Sequence, residues 1–129
     1  MTRVLLVDTN FSAGPLRHAL LAKGYEVWVV GGRPDDALAV SATNYVELDY
    51  SDASGLVALA RELRVQAIVP GCNDVSYAAS CRAASTLGLK GFESATALSR
   101  LHKKDGFREL CQSLLIPAPK TYASIDAAL

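Results

Sequence analysis

The chain is 129 residues long and half hydrophobic, and its 13 Lys and Arg balance 13 Asp and Glu. That length suits one complete domain plus the beginning of another, and the balanced charge argues against the basic field that draws in nucleic acid or an anionic membrane. No apolar run approaches the roughly 20 residues that span a bilayer. The odd set Cys72, Cys81 and Cys111 lacks both C-x-x-C and Cys/His ligand spacing, which speaks against a disulfide framework or zinc site and fits a reducing cytoplasm.

Val4 to Val7 is an aliphatic run without alternation, the pattern of a strand buried on both faces of a parallel sheet. After the polar stop Asp8-Thr9-Asn10, Gly14-Pro15 opens a helix carrying Leu16, Ala19 and Leu20, with Gly24 past its end. Glu26 to Val30 is a second strand, residues 31 to 36 are a turn cluster, and Asn44 to Tyr50 reads as a third strand. Ser51 or Asp52 caps a helix with Leu56, Leu59, Ala60 and Leu63 at helical spacing. Ala67 to Val69 gives a fourth strand, an Ala-rich helix follows from about Val75 to Leu87, and Leu89 to Phe92 suggests a short fifth strand. Strands separated by helices predict right-handed crossovers and an α/β fold: a Rossmann-like, three-layer, doubly wound parallel sheet of order 3-2-1-4, with the fifth strand beyond. After Phe92 the pattern is helical only. Ser94 caps a segment with Leu98 and Leu101, and a second helix carries Phe107, Leu110, Cys111 and Leu114 before Pro117 and Pro119. Ser124-Ile125-Asp126 reads as the start of a further helix. The expected division is a Rossmann-like domain over 1–93 and, over 94–129, a helical link with the start of a second domain.

Ligands of open α/β sheets gather at the carboxyl ends of the strands near the switch point, here between strands one and four. The loops meeting there are Asp8 to Gly14 and Pro70 to Asp74. The first lacks G-x-G-x-x-G, which disfavours a dinucleotide site. Thr9, Asn10 and Ser12 can donate to a ligand at the helix start or serve as caps, and Gly71, Asn73 and Asp74 face the same choice between ligand contact and a capped turn. Gly14 belongs with the first group. Asp8 and Asp49 evoke a receiver-type phosphorylation site, but Thr9 stands where a second acid is wanted, Pro70-Gly71 where a hydroxyl is, and Lys90 is poorly placed. His18 and His102 have no triad or metal partners in sequence, and Cys72 reads as a small, unreactive side chain rather than a nucleophile.

The element order and the tail together resemble the N-terminal, pre-ATP-grasp domain of the ATP-grasp superfamily, whose members include biotin carboxylase, the large subunit of carbamoyl phosphate synthetase and D-alanine ligase. In that family a parallel sheet precedes a helical link written as an Asp-Lys pair, a helix, and Gly-Ile/Val-Pro. This chain has Lys104, a helix through Phe107 and Leu110, and Leu115-Ile116-Pro117 at the family's spacing. Ala67 to Asp74 and Leu87-Gly88-Leu89 to Gly91 are similar to the fourth-strand end and following link of carbamoyl phosphate synthetase-like members. Lys103 stands where Asp is usual and Leu115 where Gly is usual.

The resemblance implies that Lys104, with Lys103 as the register alternative, meets ATP phosphates. It implies a ligase in which ATP converts a carboxylate to an acylphosphate that an amine or similar nucleophile attacks, with Mg²⁺ bridging the phosphates. The partners are then small-molecule carboxylate and nucleophile substrates, held on this side by Thr9, Asn10, Ser12, Gly14, Gly71, Asn73 and Asp74. ATP and Mg²⁺ are bound mainly by residues beyond 129, so these residues alone are inactive and hold no catalytic group. A homodimer is left open. The rival expectation is a free-standing Rossmann-like binding or receiver-type module.

Overall fold

The computed structural model describes residues 1–120 and 122. Four parallel strands, β1 (Arg3–Val7), β2 (Glu26–Gly31), β3 (Tyr45–Glu47) and β4 (Ala67–Pro70), form a sheet of order β3-β2-β1-β4. The expected order is the observed one. Val7 lies level with Val30 on one side and Pro70 on the other, so the loops leaving β1, β2 and β4 emerge along one edge. β1 is central, and Val4 to Val7 are all buried, which is why its sequence shows no alternation.

Helices cover both faces. Leu5, Val7, Val30 and Ile68 pack under α3 (Ala53–Glu62) and α4 (Asp74–Leu87) through Leu56, Val57 and Ala60 of the one and Ala79, Ala83 and Ala84 of the other. Leu6, Val27 and Val29 form the opposite core with Ala13 and Leu38. Leu38 belongs to α2 (Ala37–Ser41), a five-residue helix too short to show a period in the sequence. Ala13 ends a 3-10 turn, Phe11–Ala13, that precedes α1 (Gly14–Ala22). No residue of α1 is fully buried and only Leu20 packs partly onto the core, because Ala13 and Leu38 fill that face instead. Asp52 caps α3 by accepting from the Ser54 N–H.

Two expected strands differ. β3 spans three residues rather than 44–50, since Asp49 turns the chain by accepting from the Ser51 N–H at 3.0 Å. Leu89 to Phe92 forms no strand: Gly91 has a φ of 113°, and Leu89 and Phe92 act as packing side chains under the helices. The Phe92 ring meets Tyr77 edge-on at 5.6 Å.

Residues 1–92 form one compact unit, and a second begins at Glu93. In the second unit, Ser94 caps α5 (Ala95–His102), and Glu93 Oε1 lies 3.0 Å from His102 Nε2. α6 (Lys104–Ser113) follows at once, and Gly106 sits against the Ser99 carbonyl and Arg100 backbone, where a Cβ would find atoms at 3.1 and 3.2 Å. α6 ends in a Schellman motif. Ile116 N–H bonds the Cys111 carbonyl at 2.9 Å and Leu115 N–H the Gln112 carbonyl at 3.2 Å, with Leu115 left-handed at a φ of 56°. The Leu-for-Gly departure thus falls on the position whose backbone favours glycine. The helix expected at Ser124-Ile125-Asp126 lies outside the described residues.

Candidate functional site

A cleft of about 570 Å³ opens at the carboxyl edge of the sheet, where the switch-point rule places ligands. It is bounded by four loops: Asp8, Thr9, Asn10 and Ser12 after β1; Gly32, Arg33 and Asp36 after β2; Asp49 and Tyr50 after β3; and Cys72, Asn73 and Val75 after β4. These stretches are far apart in sequence, and the parallel register alone brings them together.

Asp8 forms the floor. It is 4 % exposed, its Oδ1 accepts the Asn10 N–H at 3.0 Å, and its Oδ2 accepts the Asn73 side-chain amide at 2.9 Å. Gly71 has to be glycine here, because a Cβ would overlap the Asp8 side chain. Asn73 Nδ2 also lies 3.4 Å from the Tyr50 hydroxyl, while its Oδ1 caps α4 through the Ser76 N–H at 2.8 Å. One asparagine therefore ties the β1, β3 and β4 loops together. Below it the buried Ser76 hydroxyl donates to the Val7 carbonyl and accepts the Gly71 N–H at 2.7 Å.

Thr9 is buried, and its hydroxyl donates to Asp36 Oδ2 at 2.6 Å. Its carbonyl accepts the Leu38 N–H at 3.1 Å, so Thr9 pins the β2 loop and α2 to the end of β1. Asn10 Oδ1 accepts from Ser12 N–H at 3.1 Å, capping the 3-10 turn, and the Ser12 carbonyl faces Cys72 Sγ at 3.4 Å. Asp49 is exposed at the rim, and its carboxyl sits below the usual range through hydrogen bonds from the Ser51 hydroxyl and N–H. Three carboxylates, Asp8, Asp36 and Asp49, thus surround a cleft that, among the described residues, is lined by one cation, the exposed Arg33.

Of the residues read from the sequence, Thr9, Asn10, Ser12 and Asn73 line this cleft; Gly14 and Gly71 do not, although Gly71 buttresses Asp8. Asp74, in the first turn of α4, lines a smaller depression of about 280 Å³ beside Ser51 and Arg82. Asp36, Tyr50 and Arg33 were not singled out by sequence. Asp8 and Asp49 are read from the sequence as receiver-type acids rather than as substrate contacts, and their places at strand ends are the available signal. Lys103 and Lys104 belong to the second unit, exposed at the start of α6, where Lys103 is the N-cap without a side-chain cap bond. Among the described residues no group of three His, Cys, Asp or Glu could hold a metal ion, and no helix is long and apolar enough to cross a membrane.

A parallel β3-β2-β1-β4 sheet with helices on both faces and a cleft at its switch point defines a Rossmann-like binding domain. No protein-family model and no curated protein sequence matches the chain. Solved structures do. Phosphoribosylglycinamide synthetase from Anaerococcus prevotii superposes with a TM-score of 0.75 and 16% identity, over 87% of this chain and 28% of that one. N5-carboxyaminoimidazole ribonucleotide synthetase from Thermotoga maritima gives 0.75 and 13%, over 99% of this chain and 35% of its own. The biotin carboxylase domain of a thermophilic 2-oxoglutarate carboxylase, bound to ADP, gives 0.73 and 16%, over 98% and 31%. The chain therefore spans about a third of the length of these structures. The fold shared with these structures is the Rossmann-like one that the sequence resemblance implied.

Proposed function

We propose that these residues are the N-terminal, substrate-side domain of an ATP-grasp ligase, which activates a carboxylate as its acylphosphate and passes it to an amine or similar nucleophile. The observation that carries this reading is the coincidence of two independent features. The β3-β2-β1-β4 sheet is shared along nearly the whole chain with synthetases and a biotin carboxylase domain, and a helical link follows with Lys104 opening α6 and Leu115-Ile116-Pro117 closing it. A receiver-type module is disfavoured by the same sheet, because the flavodoxin-like order 2-1-3-4-5 puts strand three beside strand one, and here β4 holds that place.

In this reading Lys104 supplies a mobile cation for the ATP phosphates at a helix start whose free N–H groups favour anions. One of the similar structures holds ADP. ATP would supply the phosphoryl group and Mg²⁺ would neutralise its charge. The cleft between the β1 and β4 loops takes a small substrate. Calorimetric titration of MgATP into the longest natural polypeptide containing these residues tests the assignment. Lys104→Ala should weaken binding about tenfold, the worth of a charge-assisted hydrogen bond. A loss confined to Lys103→Ala would move the contact by one residue, and unchanged affinity in both variants would sink it.

A further inference from the structure

We propose that a second cavity, at the amino edge of the sheet, binds a small organic monoanion, with its oxyanion head received by Arg17 and its apolar body against Leu21 and the Tyr25 ring. The proposal goes beyond the ATP reading and does not depend on it. The cavity has a volume of about 340 Å³ and lies at the amino ends of β2 and β3, the edge opposite the switch-point cleft. Its lining comes from three separate stretches: Arg17 and Leu21 on α1, Tyr25 and Glu26 at the entry to β2, and Thr43 and Asn44 just before β3. Arg17 and Leu21, four residues apart, share one face of their helix.

The first observation is a cation without a partner. Arg17 Nε is buried, yet among the described residues nothing accepts a hydrogen bond from it, and its guanidinium forms no ion pair. Buried N–H donors are paired as a rule. Glu26, the one acidic side chain among the described lining residues, is already engaged, since its Oε2 accepts from Arg3 at 2.9 Å and its Oε1 from Trp28 at 3.0 Å. The second observation is the state of the neutral donors. The Tyr25 and Thr43 hydroxyls and the Asn44 side-chain amide make no hydrogen bond among the described residues. At the other edge of the sheet the corresponding groups of Thr9, Asn10 and Asn73 are all used by the fold. One guanidinium among neutral donors matches a single negative charge, and its planar fork meets a two-oxygen head bidentately. Apolar walls with a few convergent polar groups suit a small organic ligand better than a bare ion.

The test is chemical-shift mapping of N–H groups on the 129-residue chain at constant ionic strength, with benzoate, benzenesulfonate, benzyl alcohol, acetate and inorganic phosphate as separate probes. Benzoate and benzenesulfonate should shift the Arg17 Nε–H and the Asn44 side-chain amide saturably, and leave the Asn73 side-chain amide unmoved. Benzyl alcohol, which lacks the charge, and acetate and phosphate, which lack the apolar body, should each bind about tenfold more weakly or not at all. Arg17→Gln should weaken the benzoate response at Asn44 about tenfold, the worth of a charge-assisted hydrogen bond. Should that variant not fold, Arg17→Lys decides in its place: it keeps the charge without the fork, so weakened binding supports the proposal and unchanged binding overturns it. An unchanged response in Arg17→Gln, equal binding of benzyl alcohol, acetate or phosphate, shifts at Asn73 in place of Asn44, or silence toward both aromatic anions overturns it as well. The Lys104→Ala titration with MgATP is read separately, so either result leaves the other standing.

Discussion

Leu115→Gly should stabilise the end of α6. Leu115 is left-handed, with a φ of 56°, and its side chain is 92% exposed, so removing it forfeits almost no burial. A left-handed residue other than glycine costs about 1–2 kcal/mol. Glycine's larger loss of freedom on ordering takes back about 0.5–1 kcal/mol. The difference leaves about 0.5–1 kcal/mol in favour of glycine, a two- to fivefold effect on a local opening equilibrium. The two Schellman hydrogen bonds, Ile116 to Cys111 and Leu115 to Gln112, report it directly. Amide hydrogen exchange at positions 115 and 116 should slow by about two- to fivefold in the variant under conditions where exchange follows the opening equilibrium. Leu115→Val, with a branched Cβ at the same backbone angles, should exchange faster than the parent. Equal or faster exchange in the glycine variant would refute the left-handed assignment and the explanation it gives for the family's glycine.

Three further outcomes follow from the first unit. Gly71→Ala should destabilise by about 1–3 kcal/mol in thermal or urea unfolding, the range for overpacking, because the new methyl collides with Asp8; the Asn73 side-chain amide resonances should shift with it. Asp52→Ala should cost about 1 kcal/mol through the lost cap of α3, since only its carboxylate meets the Ser54 N–H at 3.0 Å. Glu26 is held below its usual range, chiefly by the hydrogen bond from Arg3 and then that from Trp28. Its folded value is the depressed one, so its stabilisation is complete above the ordinary glutamate range and disappears as pH falls through the lowered value. Glu26→Gln should therefore flatten the acid limb of stability against pH in that window, and identical acid limbs for parent and variant would contradict the Arg3–Glu26 contact.

How much the sequence disclosed depends on the length over which each signal acts. The unbroken run Val4 to Val7 identified the central strand because burial on both faces removes alternation, and the crossovers then fixed strand order. α2 escaped because five residues carry no helical period, although its Leu38 is a buried member of the second core. Leu89 and Phe92 looked like a strand because apolar side chains packing under helices leave the same short pattern. At the cleft, the sequence offers hydroxyl and amide residues either as ligand donors or as caps. Thr9 bonds Asp36, Asn10 caps the 3-10 turn, and Asn73 caps α4 while it bonds Asp8. The carboxylates they meet, Asp36 and Asp8, come from two different loops, and only the fold brings residue 8 within a hydrogen bond of residue 73.

In the proposed reading this domain presents a substrate to a nucleotide held elsewhere. MgATP calorimetry on residues 1–129, run beside the longest natural polypeptide that contains them, tests it most directly. The longer polypeptide should bind MgATP with a measurable heat, and residues 1–129 alone should give none, because one lysine at an exposed helix start encloses little of a nucleotide. Tight MgATP binding by the 129 residues alone, or none by the longer polypeptide, would contradict the claim.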